Sequence, residues 1–248
     1  MNHCCRLSRG ATAKVHIKRG CEMEVFGLLK DRGIIDWVPA DSAYSDGRGT
    51  YLSGLFGVVK PGKHTENHIP VLRIFMNLVP VNGLFEVLRG DINCLPNATQ
   101  WLPLCFSGGE EVNLSQGGMS SAFYLFSIPP TWRPFMCFNF QATGAVIGDS
   151  KLDPSWYRPT CIVLPMSWSS SVGIMQAVSR ELLLSQGLPE NSELKKGSVL
   201  LQWFTQVAAA SSPSRTWWQI YLDNFLVAQF KDMTRHWVGL EQTKCCRG

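Results

Sequence analysis

Near the C-terminal end, Trp217-Trp-Gln-Ile-Tyr-Leu222 and Phe225-Leu-Val-Ala-Gln-Phe230 flank the pair Asp223-Asn224, and this leaves the chain few options. Both runs are rich in the aromatic and branched residues that suit strands. Two intervening residues leave room only for a tight reversal, and Asp and Asn both tolerate the positive φ such a turn asks for. The segment therefore predicts an antiparallel hairpin with Asp223 and Asn224 at its tip. A carboxylate held there suits a hard cation such as Mg²⁺, which takes one or two carboxylates plus substrate phosphates. The plainer alternative is that Asp-Asn only makes the turn, and the hairpin alone leaves both readings open.

Upstream, short strand-like runs alternate with two helical patterns. Leu55-Phe-Gly-Val-Val-Lys60 and Val71–Val79 predict a second hairpin across the breaker segment Pro61–Pro70, with Arg73 a fixed cation in an apolar strand. His64 and His68 fall in that breaker and read as loop residues. Leu84–Gln100 has room for a short helix, and Ser107-Gly-Gly-Glu-Glu111 reads as a turn. Met119–Ile128 predicts a strand leading into a helical turn, and Phe135–Phe140 and Cys161–Leu164 predict strands. Val172, Met175, Val178, Leu182 and Leu183 share one side of a helix over 172–184, closed by Gly187 and Pro189. Val199–Ala210 predicts another helix, while residues 1–50 are polar, Gly- and Arg-rich and weakly patterned. The mixture predicts an α+β fold.

Composition excludes several classes. With 45% hydrophobic residues, and 13 Phe and 9 Trp spread along 248 residues, the chain is neither disordered nor of low complexity. No apolar run approaches the roughly 18 residues of a membrane span, and no secretory leader is apparent, so an intracellular protein (nucleus or cytoplasm) without membrane contact is expected. The 9 cysteines form no Cys-x-x-Cys pair and read as free thiols. Cys4, Cys5, His16 and Cys21 fit none of the paired-ligand zinc spacings. Residues 1–89 hold 12 Lys/Arg against 8 Asp/Glu, so the whole net charge of +4 lies in the first third. That suits phosphate contacts and equally suits a solvated surface. Nucleophile-elbow, phosphate-loop and zinc-protease motifs are all absent from the sequence.

Four pieces in order resemble the reverse transcriptases over residues 52–230, the fingers and palm of that family. Leu72-Arg-Ile-Phe-Met-Asn-Leu-Val-Pro-Val-Asn82 resembles the fingers motif whose Arg clasps the incoming triphosphate. Met119-Ser-Ser-Ala-Phe-Tyr124 resembles the end of the first palm motif, Leu164-Pro-Met-Ser-Trp-Ser-Ser171 the template-contacting turn, and Tyr221-Leu-Asp-Asn224 the catalytic hairpin. The resemblance implies a palm of antiparallel strands backed by helices, with a fingers extension. Residues 1–51 would be a polar, partly irregular segment before it, and 231–248 a tail. It implies RNA-directed DNA synthesis on a primer-template from deoxynucleoside triphosphates, with two Mg²⁺ (or Mn²⁺) ions activating the primer 3′-hydroxyl. Asp223 and Asn224 would be the catalytic pair and Asp223 the metal ligand. Arg73, with Lys60 or Lys63, would neutralise phosphate charge, Phe123 would be the steric gate, and Met166 and Ser167 would line the nascent base pair.

The departures from that pattern predict impairment. The family's first palm carboxylate falls on Gly118, and its second hairpin carboxylate on Asn224, so only Asp223 remains of three. Asn offers a neutral carbonyl oxygen and Gly no side chain. Glu110 and Glu111, eight and seven residues before Gly118, would substitute only if their turn folds back. The family's thumb has no counterpart in this sequence, and whether a partner chain supplies one is open. The alternatives are a non-catalytic nucleic-acid-binding or interaction module and a decayed retroelement fragment.

Overall fold

The computed structural model describes residues 11–101, 110–196 and 214–232. The protein is α+β, with antiparallel sheets and few helices, and divides into two compact units. Along the chain come α1 (Glu22–Asp31), β1 (Ile35–Pro39), β2 (Ser45–Asp46), β3 (Gly49–Thr50), β4 (Gly54–His64), β5 (Pro70–Asn77) and α2 (Val79–Asn82). They are followed by β6 (Glu110–Gly118), β7 (Ala142–Thr143), α3 (Gly144–Ile147), β8 (Trp156–Cys161), α4 (Ser171–Ser185), β9 (Ser214–Tyr221) and β10 (Asn224–Asp232).

Unit 1 comprises residues 1–88 and 121–171. Its helix α1 lies in the stretch whose sequence pattern is weak. Glu22 and Glu24 in the first turn and Lys30 in the last complement the helix dipole. Gly33, at φ 67°, ends it: the Gly33 N–H donates to Lys30 O and the Ile34 N–H to Leu29 O. These are the paired hydrogen bonds of a left-handed glycine cap, with Leu29 and Ile34 both buried beneath it. Phe26 is fully buried, with ring centroids 5.0 Å from Phe140 and 6.0 Å from Trp37. Strand β8 pairs with β1 from Ile35↔Cys161 to Pro39↔Tyr157, and with β7 on its other side. The β4–β5 hairpin forms as the sequence predicts, in register from Gly54↔Asn77 to Val59↔Leu72, and β4 runs on through Pro61-Gly62 to His64.

Unit 2 comprises 89–120 and 172–248. Its sheet has the order β6-β10-β9, so β10 pairs on both sides. The expected hairpin is present, with Asn224↔Tyr221 as its last pair. Helix α4 matches the predicted span and buries Met175, Gln176 and Ser179. Arg180 donates through Nε to Glu193 Oε2 and through Nη2 to Glu190 Oε1, both at 2.7 Å, and the Glu193 side chain is only 3% exposed. Trp218 is fully buried, and its Nε1 donates to Pro189 O at 2.8 Å.

Several expectations need correction. Glu110 and Glu111 lie in strand β6, not a turn, opposite Asp232 and Lys231. Met119–Ile128 forms no strand: Ser121 takes a φ of 56° and leads into a 3-10 turn at Ala122–Leu125. Phe135 and Met136 end another 3-10 turn, Pro130–Met136, and only single bridges at Cys137 and Phe138 follow. Leu84–Gln100 holds no α-helix, only 3-10 turns at Ile92–Cys94 and from Ala98. Pro129-Pro130 and Pro134 explain the two missing strands, since proline donates no N–H to a ladder, and Pro96 breaks any helix over 84–100. The helix expected at Val199–Ala210, the Cys4-Cys5 pair and the tail beyond 232 lie outside the described residues.

Candidate functional site

The register of unit 2 brings Gly118, Asp223 and Asn224 together. Gly118 and Asn224 are direct cross-strand partners at the end of β6 and the start of β10. The Met119 N–H donates to the Asp223 carbonyl at 3.0 Å, which ties the tip of the hairpin to the end of β6. A Cβ on Gly118 would stand 2.6 Å from Asn224 Oδ1, so the amide of Asn224 occupies the space that the missing side chain leaves. Asn224 Nδ2 donates to Asp223 Oδ1 at 3.1 Å.

The turn itself differs in detail from the sequence expectation. Its two central residues are Leu222 and Asp223, and the positive φ of 57° falls on Leu222, while Asn224 is already strand. A left-handed leucine is strained by roughly 1–2 kcal/mol and needs outside support. Gln176 of α4 provides it: its Oε1 accepts the Leu222 N–H at 2.7 Å, and its Nε2 donates to Ile220 O at 2.9 Å. A buried amide thus completes the backbone pairing that the turn interrupts.

As a metal site the tip is poor in donors. It offers one carboxylate, with one of its oxygens engaged by the neighbouring amide, and one neutral carbonyl on Asn224. Among the described residues no three His, Cys, Asp or Glu side chains cluster closely enough to share a metal ion. Glu111 is no substitute, because seven strand residues at roughly 3.3 Å each put it about 23 Å along β6 from Gly118. Two divalent cations bring four positive charges against one negative group. The residues present do not fit such a pair.

The other candidates lie in unit 1. Arg73 stands exposed on β5 opposite Val58, and Lys60 follows two residues after Val58, beyond the last regular pair Val59↔Leu72. Arg73 is near enough to Tyr124 for its charge to oppose the upward push that burial gives the phenol. Phe123, beside Tyr124, is half-buried in the 3-10 turn. Met166 and Ser167 are exposed in a turn held from below by Trp168, which is 2% exposed and packs edge-on against Trp132 at 5.1 Å and Phe85 at 5.5 Å. Ser167 Oγ donates to the carbonyl of Met76 at the end of β5. Asn82 grips the same turn from α2: its Nδ2 donates to Ser167 O and its Oδ1 accepts the Ser169 N–H, both at 3.1 Å. The 162–164 segment pairs with 126–128 through the Ile128 and Leu164 N–H groups. Arg73, the 122–125 turn and the 164–169 turn are therefore tied into one neighbourhood, with Lys60 farther out on β4.

Gln176 and the two hydrogen bonds of Asn82 are what the sequence reading missed. The signal for Gln176 was available, since it lies four residues from Val172 and one from Met175, within the apolar periodicity of the helix. A polar residue on a buried stripe needs a partner. No protein-family model matches the chain, and no curated protein matches it. Among the described residues no helix is long and apolar enough to cross a membrane.

Proposed function

We propose that residues 52–230 are a reverse-transcriptase-like fingers-and-palm region that engages primed nucleic acid and is impaired in two-metal nucleotidyl transfer. One observation carries the reading: the Gly118↔Asn224 pair beside Asp223. The three positions at which the resemblance expects carboxylates meet at one end of one sheet, although they are about a hundred residues apart in sequence. Chance sequence similarity does not require that register. The same register supports impairment, because two of the three positions carry no charge. The neighbourhood of Arg73 and the Asn82-held turn supports a role in contacting phosphate and bases.

Primer extension on primed RNA and DNA with Mg²⁺ or Mn²⁺ tests this. The unaltered chain is expected to extend neither template, while binding primed RNA in a manner that weakens with salt and does not change in Asp223→Ala. Extension that disappears in Asp223→Ala would mean a working polymerase and overturn the impairment. Absence of both extension and RNA binding would overturn the reading as a whole. The paired variant Gly118→Asp with Asn224→Asp should bind Mg²⁺ measurably by calorimetry where the unaltered chain does not. Gly118→Asp alone should gain less, because it offers two carboxylates where the paired variant offers three.

A further inference from the structure

Unit 1 contains a cavity of about 350 Å³ between α1 and the root of the β4–β5 hairpin. That volume lies at the lower end of the roughly 300–1,000 Å³ that small-molecule sites occupy. One wall is the stripe of α1 that carries Val25 and Leu28, prolonged by Arg32 past the helix end. The facing wall is Phe56 and Leu72 of the hairpin, and the segment that brings in Lys18 forms the floor, fixed by the His16 N–H donating to Leu55 O at 2.6 Å. Leu28 is 52% exposed and Leu72 57% exposed, so the lining of this space includes two aliphatic side chains with much of their surface in solvent.

The charge around this apolar space has one sign. Lys18 and Arg32 line it, no Asp or Glu does, and among the described residues neither cation makes an ion pair. An apolar body of matching size would remove the walls from water, a gain that grows with the apolar surface covered. An anionic head at the rim would meet an ammonium and a guanidinium, and the guanidinium can bind a carboxylate through two parallel N–H···O bonds. A neutral amphiphile forgoes the second contribution, and a cationic one is repelled.

We propose that this cavity binds a small amphipathic carboxylate, its apolar chain seated between Leu28 and Leu72 and its carboxylate held by Lys18 and Arg32. Calorimetric titration of the full chain with decanoate, with decan-1-ol and decyltrimethylammonium as comparators at the same submicellar concentrations, tests it. Saturable binding of one decanoate per chain is expected, weakened at least tenfold in Arg32→Glu and in Leu28→Trp, with both comparators at least tenfold weaker than decanoate. Both substituted positions are exposed, and thermal unfolding of each variant should match that of the unaltered chain, which separates a binding defect from a folding defect. Equal binding of all three amphiphiles, undiminished decanoate binding by Arg32→Glu, or no saturable decanoate heat would each overturn the proposal.

Discussion

At the scale of single residues, burial decides what the cysteines can do. Cys137 and Cys161 are fully buried, and loss of solvation pushes their thiols up from the ordinary 9.0 to about 11 and about 12. Cys21 and Cys94 are only half-buried. Iodoacetamide labelling at pH 8, mapped by peptide mass spectrometry, should therefore modify Cys21 and Cys94 well before Cys137 and Cys161. The same shifts set a sign for stability. The buried thiols favour the folded state fully below pH 9, and that contribution falls as pH rises from 9 toward 12, because the unfolded chain ionises first. Urea midpoints should drop between pH 8.5 and 10.5, and replacing both residues with Ala should flatten that part of the drop. Asp223 illustrates the limit of residue-level reading. The sequence identified it as the tip of a hairpin, but the strained residue is its neighbour Leu222, whose partner lies forty-six positions back at Gln176.

At the scale of elements, Gln176 links α4 to the β9–β10 turn through two hydrogen bonds made by one buried amide. Gln176→Met keeps the volume and removes both, leaving a buried N–H and a buried C=O unpaired. The expected cost is about 2–4 kcal/mol in urea unfolding, and a loss under about 0.5 kcal/mol would show that the turn is held by other groups. The two hairpins and α4 were legible because their periodicity and their turn or stop residues agree. Helix α1 was not, because Gly27 interrupts its stripe and Cys21 makes no side-chain cap, so its one strong signal is the Gly33 terminus. Strand β6 was illegible for a different reason. Glu-Glu-Val-Asn-Leu-Ser-Gln-Gly-Gly has little strand preference of its own, and its nine pairs with β10 impose the conformation from outside. The sequence could name Gly118 as a site position only through a resemblance, since nothing local to it marks it.

Across the whole molecule, charge divides with the two units. Unit 1 holds 14 Lys/Arg against 10 Asp/Glu, and unit 2 holds 9 against 9, so the entire excess of +4 belongs to unit 1. If RNA binding is electrostatic, unit 1 should carry its salt dependence. Replacing Lys60, Lys63 and Arg73 with Ala should lower the slope of log K against log salt by roughly 0.7 for each phosphate that is no longer neutralised, whereas Asp223→Ala should leave the slope unchanged. An unchanged slope in the triple variant would place the phosphate-binding surface elsewhere. The pairing of Gly118 with Asn224 couples two side-chain positions. Because the Asn224 amide fills the room beside Gly118, any residue with a Cβ can settle at 118 only after that amide has turned away. That movement is a rotamer change of one exposed side chain, which gives up its hydrogen bond to Asp223 Oδ1. A side chain at 118 and the end group of residue 224 therefore compete for one space, and whatever stands at 118 sets the rotamer at 224.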